Sequence, residues 1–506
     1  MLHYLTYVGS SHQIELAKKS FEKFHAQPLS SDNERFKLSH SYLGDLELVV
    51  SLLSDIGKVG PHLKTNQIDL LIYDEREGGL DAYAAIHKIE SDVASLAQQW
   101  GPDFVLPKGR IIVLLENAVG VAEKSFKLGR LNVKDVLVAP QSIAKTLRWI
   151  ARVLLKDREK HAYKVGVACN GGAVEGHLYQ AGCIHALNRA LRHRTLYDCD
   201  IYSGVSSGSL HATALASGIP EEEIIHSIKG TSQRIPPLKS SVIYDFAGRE
   251  IFRRFAQQAK DWGTLSPLSW LSKAIKIIPT GIFKGDGLLS YITATLNEWG
   301  GQNDFRSLHK ELYIGATHQD TFEHVIMGAP PWTHVPISDA IRASCAIPPF
   351  FAPHKIDGTT YLDGQISSPC DLELLVRRGC NLIVIVDPIL PYAVEEAENA
   401  GGLFNLIQSI KSLINTRFRS ELAHSTERFP DVDFMVFQPY GACSSLMRGS
   451  PLKYKINTQI VDLAYKTTLA RLRDRHEVYH ARLLKYGFEL ADEETLQELE
   501  EAAPVN

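Results

Sequence analysis

Five consecutive residues, Gly204-Val205-Ser206-Ser207-Gly208, set a serine among small neighbours, directly after the apolar run Tyr197 to Tyr202 and directly before the helix-prone stretch Leu210 to Ala216. The spacing G-x-S-x-G is that of a strand-to-helix turn so tight that small residues must flank the serine, whose hydroxyl then projects into a cleft. Ser206 is therefore the candidate nucleophile, and Gly204 and Gly208 are the residues that let the elbow form. An ordinary glycine turn is the bland alternative, because Ser and Gly are abundant in turns of every kind.

A second motif lies upstream. Lys164 to Cys169 reads as a short buried strand that runs into Asn170-Gly171-Gly172-Ala173-Val174-Glu175-Gly176 and then into the helix-prone segment Tyr179 to Leu191. Glycine-rich backbone at a helix start turns unpaired N–H groups toward one point, beside the positive end of the helix dipole, so the loop suits an anion. A phosphate fits poorly, since no Gly-Lys-Ser/Thr follows and the G-x-G-x-x-G spacing is absent. The oxyanion of a tetrahedral acyl-transfer intermediate fits better.

A third stretch, Ser338 to Pro348, leads through Phe350 and Phe351 to Tyr361-Leu362-Asp363-Gly364-Gln365, and the β-branched run Asn381 to Val386 follows. Such a run is the kind buried on both faces of a parallel sheet. A carboxylate beside a sheet core, here Asp363, is either a helix cap or a working base.

In order and approximate spacing, the loop Gly171 to Gly176, the elbow Gly204 to Gly208, the segment Asp339-Ala340-Ile341-Arg342-Ala343-Ser344 and the pair Asp363-Gly364 resemble those of patatin-like phospholipases. The likeness runs from about Lys164 to about Phe488. It implies a Ser–Asp dyad that cleaves acyl esters of lipids, with Ser206 as nucleophile, Asp363 as base, Gly171, Gly172 and Ala173 as the oxyanion hole, and no histidine in the chemistry. Three positions depart from the family: Ala173 where a third glycine is usual, Glu175 where many members carry arginine, and Gln365 where glycine or alanine is commoner. Alanine still offers its backbone N–H, so the hole survives if the local φ is negative, although the peptide orientation is less free.

A serine hydroxyl is inert at neutral pH unless a neighbour takes its proton. A carboxylate near its usual pKa of ~3.9 is a poor base for that task, so burial must raise it. Phe350, Phe351, Tyr361 and Leu362 could supply the apolar surroundings. The rival arrangement is a Ser–His–Asp triad, for which His424, His476 and His480 have the right chain order. They sit in charged, helix-like stretches where a solvated histidine is usual, and His211 reads as a packing or helix-surface residue.

The elements that must position these groups fill two α/β units. With 506 residues, two or three domains are expected, and 44% hydrophobic with 22% charged residues makes every part globular. Residues 1–156 alternate strand-like runs (Leu5 to Val8, Ile68 to Tyr73, Arg110 to Leu115, Asp135 to Val138) with helical ones (Ile14 to Phe24, Asp81 to Gln98, Gln141 to Leu155), which predicts a helix-covered parallel sheet. Asp69 to Asp74, followed by Gly79-Leu80-Asp81, resembles the phosphoacceptor strand and loop of response-regulator receiver domains. Asp135 to Pro140 resembles their last strand. Ala139 replaces the expected lysine, Leu115 the switch Thr or Ser, and Val8-Gly9-Ser10 lacks the acidic pair for magnesium, so a degenerate receiver-like (flavodoxin-like) module is expected, suited to docking, homo-oligomerisation or sensing. An unrelated three-layer α/β domain is the alternative.

The charged run Lys156 to His161 marks the junction. Residues 164–490 form the expected catalytic domain, a three-layer patatin-like α/β fold with a mostly parallel central sheet, and 491–506 an acidic tail, either a solvated helix or frayed. Within the catalytic domain the insertion 234–284 carries nine basic and three acidic residues, for a net charge of +6, together with Trp262, Trp270 and several Phe. That mixture suits an anionic lipid interface, and equally an inward-packed cap. The segment Leu403 to Ile414 has a single apolar helical face, as a core helix does.

No run of 18 or more apolar residues occurs and Met1 to Glu15 lacks a signal-peptide pattern, so neither a membrane span nor secretion is expected. Seven cysteines without C-x-x-C spacing fit reduced thiols in the cytoplasm. No cofactor and no metal are expected, and a net charge of −4 argues against nucleic acid. The leading expectation is a cytoplasmic lipid acyl ester hydrolase of the phospholipase A or lysophospholipase type, meeting substrate as a peripheral protein on the inner face of a membrane or on a lipid droplet. A non-catalytic lipid-binding scaffold and an intracellular polyhydroxyalkanoate depolymerase are the alternatives.

Overall fold

The computed structural model describes residues 2–23, 26–31, 34–39, 47–76, 80–102, 104–116, 120–138, 146, 163–246, 281–299, 303–390, 401–447 and 458–502. The first seven strands are β1 (Leu2–Val8), β2 (Gln27–Pro28), β3 (Arg35–Ser39), β4 (Glu47–Leu53), β5 (Leu70–Asp74), β6 (Ile111–Leu115) and β7 (Asp135–Val138). They build one sheet in the order β2-β3-β4-β1-β5-β6-β7. Its five neighbours β4-β1-β5-β6-β7 are parallel, while β2 and β3 add an antiparallel edge. Counted along the chain, the parallel strands run 2-1-3-4-5, the flavodoxin-like doubly wound order.

Physical chemistry explains the layering. β5 and β6 are buried at every position, so both faces need helices, and two separate apolar clusters lie one on each side. The helix Ala82–Trp100 starts where Asp81 accepts the N–H groups of Tyr83 and Ala84, an N-cap that ends the preceding loop. The four expected strands are present with boundaries shifted by a few residues. β2, β3 and β4 are additional to the expected strands, and the sequence between β3 and β4 holds no Asn-Gly or Asp-Gly pair to signal a hairpin. The expected helix 141–155, apart from Thr146, and the junction 156–161 lie outside the described residues.

The second sheet comprises β8 (Lys164–Cys169), β10 (Ile201–Val205), β11 (Glu311–His318), β12 (His324–Met327), β13 (His354–Ile356), β14 (Thr359–Asp363), β15 (Cys380–Val386) and β16 (Asp433–Phe437); the short β9 (Leu191–Arg192) and β17 (Glu489–Leu490) pair with each other. The order is β13-β14-β11-β10-β8-β15-β16, with β12 beside β11. β11-β10-β8-β15-β16 are parallel, and β14 joins β11 antiparallel. One face packs on the helices Ala173–Ala190, Ser207–Ala216 and Gln459–Asp474, the other on Leu372–Arg377 and the C-terminal half of Gly401–Arg428 through Phe418 and Leu422. The result is a three-layer α/β fold.

The two units meet at the outer strand β16. Arg110 enters from the first unit, donating to Asp433 Oδ1 at 2.7 Å and to the carbonyl of Pro430 at 2.7 Å. Arg482 donates to Gln67 Oε1 at 3.0 Å, and Lys485 lies 3.1 Å from Asp433 and 3.8 Å from Asp69. Lys485 and Arg110 hold the Asp433 carboxyl well below the ordinary carboxylate range, against its burial. This docked edge strand is shielded from pairing with another chain.

Two expectations change, and a third falls largely outside the described residues. The acidic stretch near the C-terminus is neither frayed nor fully solvated: Asp492 caps the helix Glu493–Glu501 by accepting from Thr495 N–H, and Leu496 is fully buried in the catalytic core. Of the insertion, residues 247–280, which include Trp262 and Trp270, lie outside the described residues, whereas Ile235, Leu238 and Ile243 pack inward. The apolar segment around Leu406 belongs to a longer helix, Gly401–Arg428, whose Leu406 and Leu413 are exposed while Ile407 is buried.

Candidate active site

Ser206 sits at the tip where β10 passes into the helix Ser207–Ala216, with φ 52° and ψ −131°. A non-glycine residue there stores strain, which the surrounding packing must hold. Gly208 explains how the turn fits: a Cβ at that position would lie 2.0 Å from the carbonyl oxygen of Cys169 on the neighbouring strand. Ser344 holds the turn from the other side. Its hydroxyl accepts the N–H of Ser206 at 2.8 Å and donates to the carbonyl of Gly315 at 2.5 Å. Ser344, at the end of the segment Asp339 to Ser344, thus braces the candidate nucleophile, a contact that spacing alone did not disclose.

Asp363 ends β14, where Ala316 of β11 faces it in register. Its Oδ1 accepts the N–H of Gln365 at 2.9 Å, and its Oδ2 is buried without a hydrogen-bond partner among the described residues. Burial raises the pKa of Asp363 from 3.8 to about 7, while the neighbouring Ser206 hydroxyl and the Gln365 N–H pull it back down. The helix-cap alternative therefore holds in part, since one oxygen caps the short turn after Gly364. The second oxygen is left for other work, and such contacts tighten only when substrate is bound.

Ser206 and Asp363 line one cavity of about 130 Å³. Its walls are almost wholly apolar, with Leu210, Ile243, Phe350, Phe351 and Ile389 among them, and Ile407, Ile410 and Ile414 of the Gly401–Arg428 helix close one side. Lys411, on the same helix, brings a charge to the rim, 3.8 Å from Glu175. Cys345 also faces in, its thiol pushed up to about 12 by burial, so it stays protonated.

The glycine-rich loop departs from expectation at one residue. Ala173 has φ +53°, not a negative value, so its side chain is held in the left-handed region where glycine is at ease. Gly172 is extended at φ −177°, and its N–H already donates to the Ser207 hydroxyl at 3.0 Å. Gly171 makes the closest approach, since a Cβ there would lie 2.6 Å from that of Ser206.

The histidines divide clearly. His424 lines a separate surface cavity, and His476 binds the carbonyl of Ala491 at 2.8 Å while stacking on His480. His211 is fully buried rather than on a helix surface; its Nδ1 lies 2.9 Å from Glu221 and its Nε2 3.0 Å from the carbonyl of His177. Burial lowers His211 to about 4 and raises Glu221, so the pair is a neutral one. His177, missed by sequence reasoning, lines the same cavity as Ser206 and Asp363 in neutral form, its pKa pushed well down by burial.

Residues 167–376 match the patatin-like phospholipase family, and that stretch contains the elbow and Asp363. Among solved structures, VipD from Legionella pneumophila is 16% identical, with 67% of this chain and 73% of that chain covered and a TM-score of 0.31. The type III effector protein ExoU is 16% identical over 62% of this chain and 53% of that one, TM-score 0.27. Human GIVD cytosolic phospholipase A2 is 12% identical, with coverage of 67% and 60% and a TM-score of 0.26.

Proposed function

We propose that the patatin-like phospholipase domain makes this chain a lipid acyl ester hydrolase working through a Ser206–Asp363 dyad. The observation that carries the reading is the pairing of a strained, cavity-facing serine with a buried carboxylate whose pKa of about 7 suits a base at neutral pH. Asp363 takes the hydroxyl proton as Ser206 Oγ attacks the ester carbonyl. The tetrahedral oxyanion is held by main-chain N–H groups of the Gly171-Gly172-Ala173 loop, chiefly Gly171 and Ala173, because that of Gly172 is engaged by Ser207; the positive φ of Ala173 strains the alanine but does not remove its N–H. Collapse expels the alcohol, which leaves with the proton from Asp363. Water then attacks the acyl-serine, giving its proton to Asp363, and the second collapse releases the fatty acid and restores the Ser206 hydroxyl.

An apolar cavity binds the acyl chain by removing its methylenes from water, about 0.8 kcal/mol for each one buried. The outward-facing Leu406 and Leu413 give the helix that walls this cavity an apolar outer edge, suited to a lipid surface. The first unit is read as a receiver-like module without phosphoryl chemistry: Asp74 is bound by the Tyr7 hydroxyl at 2.5 Å and by Arg76, whose guanidinium stands in for a cation.

The decisive experiment is fluorophosphonate labelling followed by peptide mapping. Label on Ser206, lost in Ser206→Ala and strongly slowed in Asp363→Asn, supports the dyad; label elsewhere, or an unimpaired Ser206→Ala hydrolase, refutes it.

A further inference from the structure

Thr317 on β11 stands opposite His324 on β12, one residue beyond Ala316, which faces Asp363. From this register a line of short contacts runs to the main chain of the proposed base. His324 Nε2 is 2.7 Å from Asp371 Oδ1, and its Nδ1 is 2.7 Å from Ser367 Oγ. Ser367 Oγ is 2.7 Å from Thr317 Oγ1, which donates to the carbonyl oxygen of Asp363 at 2.8 Å. Asp371 is buried and also accepts the hydroxyl of Ser203 on β10 at 3.1 Å.

Four contacts of this length need four hydrogens. Ser367 and Thr317 supply one each, the carboxylate none and a neutral imidazole one, so one contact would set lone pairs face to face. An imidazolium supplies the fourth. Its Nε2–H then goes to Asp371 and its Nδ1–H to Ser367, whose own O–H goes to Thr317, and Thr317 donates to Asp363. From Nδ1 onward, every donor points toward the base.

We propose that His324 is a positioning residue: as an imidazolium anchored on Asp371 it starts, at its Nδ1–H, a hydrogen-bond chain through Ser367 and Thr317 to the main chain of Asp363, and losing its proton loosens the base. This rests on Asp363 acting in the dyad. The connectivity Ser367–His324–Asp371 is also that of a hydrolytic triad, but the Ser367 hydroxyl is already held by Thr317 and lies 3.2 Å from the carbonyl of Gly364, which leaves it poorly placed to attack.

The charged groups around the ring act in opposition. Burial, the largest single influence, lowers the His324 pKa; the charge and hydrogen bond of Asp371 together with Glu421 raise it and Arg417 opposes them, for a net upward shift. Glu421 and Arg417 both reach in from the Gly401–Arg428 helix, and Glu421 is itself pushed up to about 8 by burial and by Asp371. The imidazolium is therefore favoured beyond what an ordinary histidine would show.

The test is the rate of fluorophosphonate labelling of Ser206 between about pH 5 and 10, in the intact protein and in His324→Gln and His324→Leu. The parent should give a bell, its alkaline limb due to His324. His324→Gln, whose amide donates to Ser367 without titrating, should lose that limb and keep most of the rate. His324→Leu should label about tenfold more slowly at neutral pH, the cost of one hydrogen bond, with ester KM unchanged. Selective ¹⁵N-histidine NMR, assigned with the Gln variant, should show a doubly protonated ring at pH ~6.5. A neutral ring there, or variants that label like the parent at every pH, overturns the inference. Absence of Ser206 label at every pH sinks the dyad and this role with it, whereas label without dependence on His324 sinks the relay alone.

Discussion

Changing pH across the Asp363 titration probes the dyad most directly. Raising a carboxyl from 3.8 to about 7 is a lift of about three units, and at 1.36 kcal/mol each the ionised form is disfavoured by about 4 kcal/mol. Asp363 is 1% exposed, so solvent screening does not discount the figure. If the ionised carboxylate is the base, the labelling rate at pH ~5 should be roughly a hundredfold below its plateau, with the logarithm climbing one unit per pH unit up to about 7. Stability should move the opposite way. The folded protein holds this proton between about pH 4 and 7 while the unfolded chain has lost it, so the contribution is fully present below about 4 and gone above about 7. Asp363→Asn, which cannot ionise, should melt higher than the parent at pH ~8, and the difference should vanish near pH ~4. The assay is a stopped-time labelling series across pH, with melting curves of both proteins in the same buffers. A rate that is flat from pH ~5 to 8, or a break near 4, would refute the reasoning, as would a break that survives in Asp363→Asn.

Gly208→Ala should abolish Ser206 labelling and cost several kcal/mol of stability, because the added Cβ falls 2.0 Å from the Cys169 carbonyl; a variant that labels and melts like the parent contradicts the close-approach account. Acetyl phosphate should leave Asp74 unmodified on intact-mass analysis, since Tyr7 and Arg76 occupy both carboxylate oxygens. Arg110→Met should lower stability by about 3 kcal/mol, measured by denaturant titration, because it leaves the buried Asp433 short of one partner; a change under about 1 kcal/mol would mean Lys485 alone neutralises it.

The sequence by itself determined what is local. The steric demands of a strand-to-helix turn are met within five residues, so Gly204 to Gly208 announced the elbow before any fold was known, and β8 ran over the residues its apolar pattern marked, Lys164–Cys169. Tertiary structure decided whatever depends on residues far apart in the chain. Burial of Asp363, and with it a carboxyl whose pKa would suit a base, needs Ser206, Phe350 and Ile389 around one cavity, brought there from three distant stretches of the chain. The positive φ of Ala173, the loss of the Gly172 N–H to Ser207, and the line from Asp371 through His324 to Asp363 had no spacing signal, and the last two join residues tens of positions apart in the chain. A short motif sets the conformation of its own backbone; the dielectric around a carboxyl and the partner of a donor are properties of the packed neighbourhood.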